Sequence, residues 1–153
     1  MANSYSNVYI MIVFAIKERF CLLNENIETE LFSYMSKIIS NRKHHLIAVN
    51  GYRDHVHLLI NLHPDQSISD LVRDIKSISS KFINEKKWFA GKFQWQSGYG
   101  VFSYSESQIQ DVIAYVNNQK IHHKTFSFKM EYLKLLQVFK IDYHDKYLFE
   151  FLE

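Results

Sequence analysis

Cysteine is almost missing from this chain: Cys21 is the only one among 153 residues. That excludes an intrachain disulfide framework and any cysteine-rich metal site, and a reducing cytoplasm is the expected setting. Proline occurs once, at Pro64, and glycine four times, so no stretch reads as a flexible linker. No apolar run approaches the roughly 18 residues that a membrane-spanning helix needs. The opening MANSYSNVYIMIVFAI also lacks the basic region and small-residue cleavage site of a signal peptide. Charge of one sign is scarce as well. With a formal net charge of +2, any surface for nucleic acid has to be local rather than general.

What remains is the composition of an ordinary globular domain, 47% hydrophobic and 22% charged, in a chain long enough to bury a real core. A single domain over residues 1–153 is expected. Aromatic residues are abundant, at 16%, which serves either a dense core or base stacking; for any single ring the core is the commoner use.

The hydrophobic pattern predicts an element order. Val8 to Ile16 is rich in β-branched and aromatic residues and reads as a first strand. Asn24 or Asn26 can cap a helix running to Arg42, with Ile27, Leu31, Tyr34, Met35 and Ile38 on one side. A second strand covers His45 to Asn50, Gly51 to Asp54 reads as a turn, and a third strand runs from His55 to Leu62. Ser67 or Ser69 can start a long helix to Lys87, and a last strand or strand pair covers Phe93 to Tyr104. Ser105 then caps a helix to His122, and a further helix spans Phe128 to Phe139 before an acidic, aromatic tail. Through residue 104 the order is β-α-β-β-α-β, the ferredoxin-like split arrangement, an α+β fold. Residues 8–104 form that core, and 105–153 add the C-terminal helices. In this topology the first and third strands are central.

Two residue pairs carry chemistry. His55 and His57 lie two apart on the strand HVHLLINL and project from the same face. Val56, Leu58, Ile60 and Leu62 form the alternate, apolar face. Such a histidine pair can hold a divalent metal, or it can be solvated or backbone-bonded. On the helix DVIAYVNNQ, Tyr115 and Gln119 lie one turn apart, at the flank of the stripe Ile109, Val112, Ile113 and Val116. Tyr115 can be a nucleophile or a core-edge tyrosine with its hydroxyl in water. Gln119 can supply a neutral oxygen as a third metal ligand, leaving positions for phosphate oxygens. A hard ion such as Mg²⁺ or Mn²⁺ accepts that mixed ligation. Together the pairs suggest metal-assisted phosphoryl transfer to tyrosine.

Two short basic runs could meet phosphates: Arg42 and Lys43, with His44 and His45, and Lys120, His122, His123 and Lys124 just after the tyrosine. Lys76, with Arg73 and Lys81 on the long helix, could extend such a track. Gln94-Trp95-Gln96 and Gly98-Tyr99-Gly100 could approach a base or form a tight turn. A ferredoxin-like module that binds RNA or hairpin DNA without strand transfer is the main rival. The stretch GYGVFSY is similar to an RNA-binding strand motif, but it follows the second helix instead of preceding it. A two-histidine phosphoesterase would need a second histidine motif.

The segments DHVHLLI, SISDLVRDIKSISSKFIN, WQSGYGVFSYSESQ and YVNNQKIHH, spread over residues 5 to 150, resemble the single-tyrosine HUH transposases of small bacterial insertion sequences and their relatives associated with repeated palindromes. The resemblance implies His55 and His57 as metal ligands, Gln119 as the helix-borne third ligand and Tyr115 as the nucleophile. It implies cleavage and rejoining of single-stranded DNA beside hairpins through a 5′-phosphotyrosine, with no nucleotide cofactor. It implies a homodimer too, in which the tyrosine helix of one subunit can complete the other's site. Whether the tyrosine is supplied within or between subunits stays open.

Overall fold

The computed structural model describes residues 4–152, so Glu153, the last residue of the acidic tail, lies outside the described residues. The strands are β1 (Tyr9–Ala15), β2 (His45–Tyr52), β3 (His55–Asn61) and β4 (Gly100–Tyr104). The helices are α1 (Glu25–Asn41), α2 (Ile68–Lys86), α3 (Ile109–Asn117), α4 (Gln119–His122) and α5 (Phe128–Val138). All strand pairings are antiparallel and the sheet order is β2-β3-β1-β4, so β1 and β3 are central as the ferredoxin-like order requires. Helices α1, α2 and α5 start where side chains can accept from free amides: Asn24 from Ile27, Ser67 from Asp70 and Ser127 from Met130. Among the described residues no helix is long and apolar enough to cross a membrane.

Both faces of the central strands are buried, for different partners. Phe14 is paired with Val56. Its ring meets Trp95 edge-on at 4.7 Å, and the Trp95 indole N–H donates to Ser79 Oγ on α2 at 3.0 Å. The Phe14–Val56 face is therefore the α2 face. The opposite face carries Met11 beside Phe102, Val13 beside His57 and Ala15 beside His55. It is roofed by α3 and α5, with Phe102 against Tyr132 and Phe139. The alternation of β3 thus places its histidines between sheet and C-terminal helices, and all of His55 to Ile60 is buried.

Three expectations are corrected. Of Phe93 to Tyr104, only Gly100–Tyr104 joins the sheet, while Trp95 makes a single bridge to Ile16. The preceding residues are drawn off by side chains. Asn84 holds both backbone groups of Phe93, and Gly98 turns the chain at φ 86°. The helix expected through His122 stops at Asn117. Asn118 has φ −96° and ψ 13°, and one further turn follows. Lastly, the hairpin turn is shorter than Gly51–Asp54. Gly51 and Tyr52 remain in β2, leaving Arg53, at φ 55°, and Asp54 to reverse the chain.

Gly51 is paired with Val56, and a Cβ there would lie 2.3 Å from the His55 carbonyl oxygen. Backbone cannot yield as a side-chain tip would. Gly51→Ala is expected to destabilise the fold by about 1–3 kcal/mol through separation of the β2–β3 hairpin. Urea denaturation checks this; an unchanged midpoint would refute it.

Candidate active site

Asp54 and His55 close the hairpin at the mouth of the roofed face. The His55 Nδ1–H donates to Asp54 Oδ1 at 2.9 Å, and the ring stacks on Phe128 at the start of α5, centroids 3.9 Å apart and nearly parallel at 4°. That fixes its Nε2 inward, 3.1 Å from Gln119 Oε1 and 3.4 Å from Glu131 Oε1. His57 Nε2 lies 3.0 Å from the same Glu131 oxygen. His123 donates through Nδ1 to the Phe126 carbonyl at 2.7 Å and points Nε2 at Gln119 Oε1, 2.9 Å, and Glu131 Oε1, 3.2 Å. The other Glu131 oxygen accepts from the Tyr115 hydroxyl and from Gln119 Nε2. His122 Nε2 lies 3.4 Å from that second oxygen, so four imidazoles, one amide and the tyrosine converge on one buried carboxylate.

The donor set suits a divalent cation. In His55 and His123 the Nδ1–H is committed to a fixed acceptor, so a neutral ring presents its Nε2 lone pair to oxygens that are themselves acceptors. Such convergent lone pairs need a proton or a metal between them. The ligand atoms of His55, His57 and Glu131 lie within 4.8 Å of one another, and those of His122, His123 and Glu131 do likewise. The buried His55, His57 and Glu131 could therefore bind a metal ion.

Without the ion, the electrostatics show the same need. Burial disfavours a charged His55, but Asp54 and Glu131 outweigh it and push the ring up to about 9. For His57 burial prevails and holds the ring below its ordinary range. Burial also opposes charge on Glu131, yet His57, His123 and His55 keep the carboxylate well below its usual range. Tyr115 is raised well above an ordinary phenol by burial and by the adjacent Glu131.

These shifts predict a stability profile. A His55 pKa of about 9, against an ordinary 6.5, means that its contribution is complete below pH 6.5 and is lost as pH rises through about 9. The full shift is of order 3 kcal/mol. His57 acts oppositely: it is held neutral, so stability falls as pH drops below its ordinary 6.5. In EDTA the chain is expected to melt highest near pH 6.5, with a lower Tm at pH 5 and at pH 9.5. A Tm that climbs through pH 9 would contradict the His55 assignment.

The structure brings all four motif residues together, His55, His57, Tyr115 and Gln119. It treats the basic residues differently. His123 is buried inside the cluster instead of lying on a phosphate-facing surface. Lys120 reaches inward to Glu28, 2.6 Å, and Asn50 Oδ1, 2.8 Å. Arg42 pairs with Asp74 at 2.9 Å. Lys76 donates to the carbonyls of Gln96 and Gly98, and its burial lowers it to about 8. Lys43 and Lys124 are exposed, and His122 is half-buried. Gln96 does not face a base: its side chain holds Ile16 and Glu150, and Trp95 is buried.

Sequence reasoning missed Glu131 and Asp54. Asp54 directly precedes the HVH motif, in the position of an orienting carboxylate. Glu131 was visible as an acid on the helix face that carries Phe128, Tyr132 and Leu136, all buried with it. A groove of about 360 Å³ opens onto the site, lined by Tyr104, Tyr115, His122, Phe126, Glu131 and Lys134 among others.

A ferredoxin-like sheet with a histidine pair on its central strand, roofed by a tyrosine-bearing helix, defines the class of this protein. The family model described as "Transposase IS200 like" matches residues 4–119, and the chain belongs to that family of transposases, DNA-processing enzymes. It is 25% identical over 115 residues to the ISDra2 transposase TnpA of Deinococcus radiodurans, a match spanning 71% of this chain and 81% of that protein. A crystal structure of a D. radiodurans transposase superposes with a TM-score of 0.61 at 23% identity, covering 78% of this chain and 95% of that one. A REP-associated tyrosine transposase bound to a REP hairpin superposes with a TM-score of 0.60 at 15% identity, covering 80% and 73%. The two structural likenesses bear on the fold.

Proposed function

We propose that this transposase cleaves and rejoins single-stranded DNA at hairpin-flanked ends through a phosphotyrosine at Tyr115. The observation that carries this reading is the convergence of the Tyr115 hydroxyl and the His55 and His57 Nε2 atoms on one carboxylate. His55, His57 and Gln119 would hold a divalent ion, Mg²⁺ or Mn²⁺, which when bound polarises the scissile phosphate. Tyr115 forms the new bond to phosphorus through its hydroxyl oxygen while the bond to the 3′ oxygen breaks. The tyrosyl proton goes to the surroundings, and the leaving oxygen takes up a proton to become a 3′-hydroxyl. Attack by a 3′-hydroxyl on the phosphotyrosine reverses the exchange, so one phosphodiester replaces another without a nucleotide cofactor.

The groove beside Tyr115 suits a single strand. Phe126 is partly exposed and stacks on His122 with centroids 5.2 Å apart, and Lys134 adds positive charge along the wall. The relative bound to a REP hairpin supports a hairpin as the recognised form of DNA. The partners in this reading are such DNA and a second copy of the chain, and the setting is the cytoplasm.

The test is direct. Single-stranded DNA carrying the hairpins that flank the gene, labelled on the 3′ side of the cut, is incubated with the chain and Mn²⁺ or Mg²⁺. The expected result is a labelled covalent adduct on a denaturing gel, abolished by EDTA. Hairpin binding with no adduct would leave a DNA-binding protein without strand transfer and refute the reading.

A further inference from the structure

We propose that Glu131 is a direct ligand of the ion held by His55 and His57, so that this chain's metal site includes a carboxylate from α5 in addition to the amide of Gln119. This rests on the metal-dependent reading above and extends it to a residue beyond 4–119, the span matched by the family model.

Position is the first argument. Glu131 Oε1 lies 3.0 Å from His57 Nε2, 3.2 Å from His123 Nε2 and 3.4 Å from His55 Nε2. It is the oxygen on which the imidazoles converge, and a bound ion would have to share or displace it. Charge balance is the second. A dication surrounded only by imidazoles and an amide brings two positive charges into a buried site with neutral ligands. Glu131, 4% exposed, supplies a negative charge already desolvated. Conversely, the carboxylate is costly to bury unless a cation meets it.

The third argument is construction. Phe128 stacks on His55 while Phe149 and Phe151 pack on Phe128 and Tyr132, so α5 is fixed beside the histidines. Ser127 caps the helix, and Glu131 follows one turn later on the face that looks into the site. The second Glu131 oxygen already holds the Tyr115 hydroxyl and Gln119 Nε2, so ligation by the first would tie ion, amide and tyrosine to one side chain.

The experiment uses the full chain stripped with EDTA and titrated with MnCl₂ by calorimetry, beside Glu131→Gln, with CoCl₂ absorption as a report on coordination. Wild type is expected to bind Mn²⁺, and Glu131→Gln to bind at least ~10-fold more weakly, with altered Co²⁺ bands. Equal affinity and unchanged bands in Glu131→Gln would overturn the proposal while leaving the histidine site standing. Absence of Mn²⁺ and Co²⁺ binding to wild type would instead remove the metal-dependent reading beneath it. Thermal melts in EDTA establish that the variant folds. If it does not, Glu131→Asp keeps the charge but withdraws the oxygen by one methylene, and the same weakening is expected of it; wild-type affinity and bands would count against the ligand.

Discussion

Tyr115→Phe is expected to form no covalent adduct with hairpin-flanked DNA, a loss of at least ~10⁴-fold when a nucleophile is removed. The substitution is clean because the ring stays. The Tyr115 ring sits edge-on to His57 at 5.7 Å and to His122 at 5.8 Å, contacts that a phenyl group reproduces. What goes is one hydrogen bond to Glu131, whose carboxylate keeps Gln119 and His57. The stability cost is about 1.5–3 kcal/mol, the range for a hydrogen bond to a charged group, and a melting curve separates it from the loss of chemistry. The measurement is the denaturing-gel assay beside a melting curve. An adduct that persists in Tyr115→Phe would move the nucleophile to another of the ten tyrosines.

The second large effect is at His57, where the choice of variant matters. The ring is fully buried and donates to Glu131 at 3.0 Å. Alanine would leave a cavity, which costs roughly 2–5 kcal/mol for a large buried side chain, and would take from a buried carboxylate a hydrogen bond worth roughly 1.5–3 kcal/mol. His57→Ala is therefore expected to lose much of its stability along with cleavage, and it cannot separate chemistry from folding. His57→Gln keeps an amide that can donate to Glu131. It is expected to fold, to retain hairpin binding and to cleave at least ~10²-fold more slowly, since one metal ligand has gone. Adduct formation and urea denaturation read the two effects apart. Wild-type cleavage by His57→Gln in Mn²⁺ would withdraw His57 from the metal site.

Local pattern made much of this legible. The alternation in HVHLLINL placed both histidines opposite Val56, Leu58 and Ile60, and the structure keeps that division. The split order of strands and helices placed β3 at the centre, because it depends only on sequence order and the ferredoxin-like rule. Helical spacing brought Tyr115 and Gln119 to the same neighbourhood. Asp54 escaped although it adjoins His55, but most of what escaped is made by partners distant in sequence. Glu131 meets His57 across 74 positions, and Gln96 is committed to Glu150 across 54. Lys120 reads as a surface cation until Glu28 and Asn50 are seen beneath it. The short β4 belongs with these. Phe93 to Gln96 has strand composition, but Asn84, Ser79 and Ile16 claim its polar groups first.

The interruption at Asn118 has a mechanical consequence. Along an unbroken helix, residues four apart travel as one body, and any swing of the Tyr115 side of the site would drag Gln119 with it. Here Tyr115 lies in the last turn of one helix, which ends at Asn117, and Gln119 begins the next, with Asn118 between them. The amide is held beside His55 and His123 by its own hydrogen bonds, so its seat is set by the second helix and not by the turn that carries the phenol.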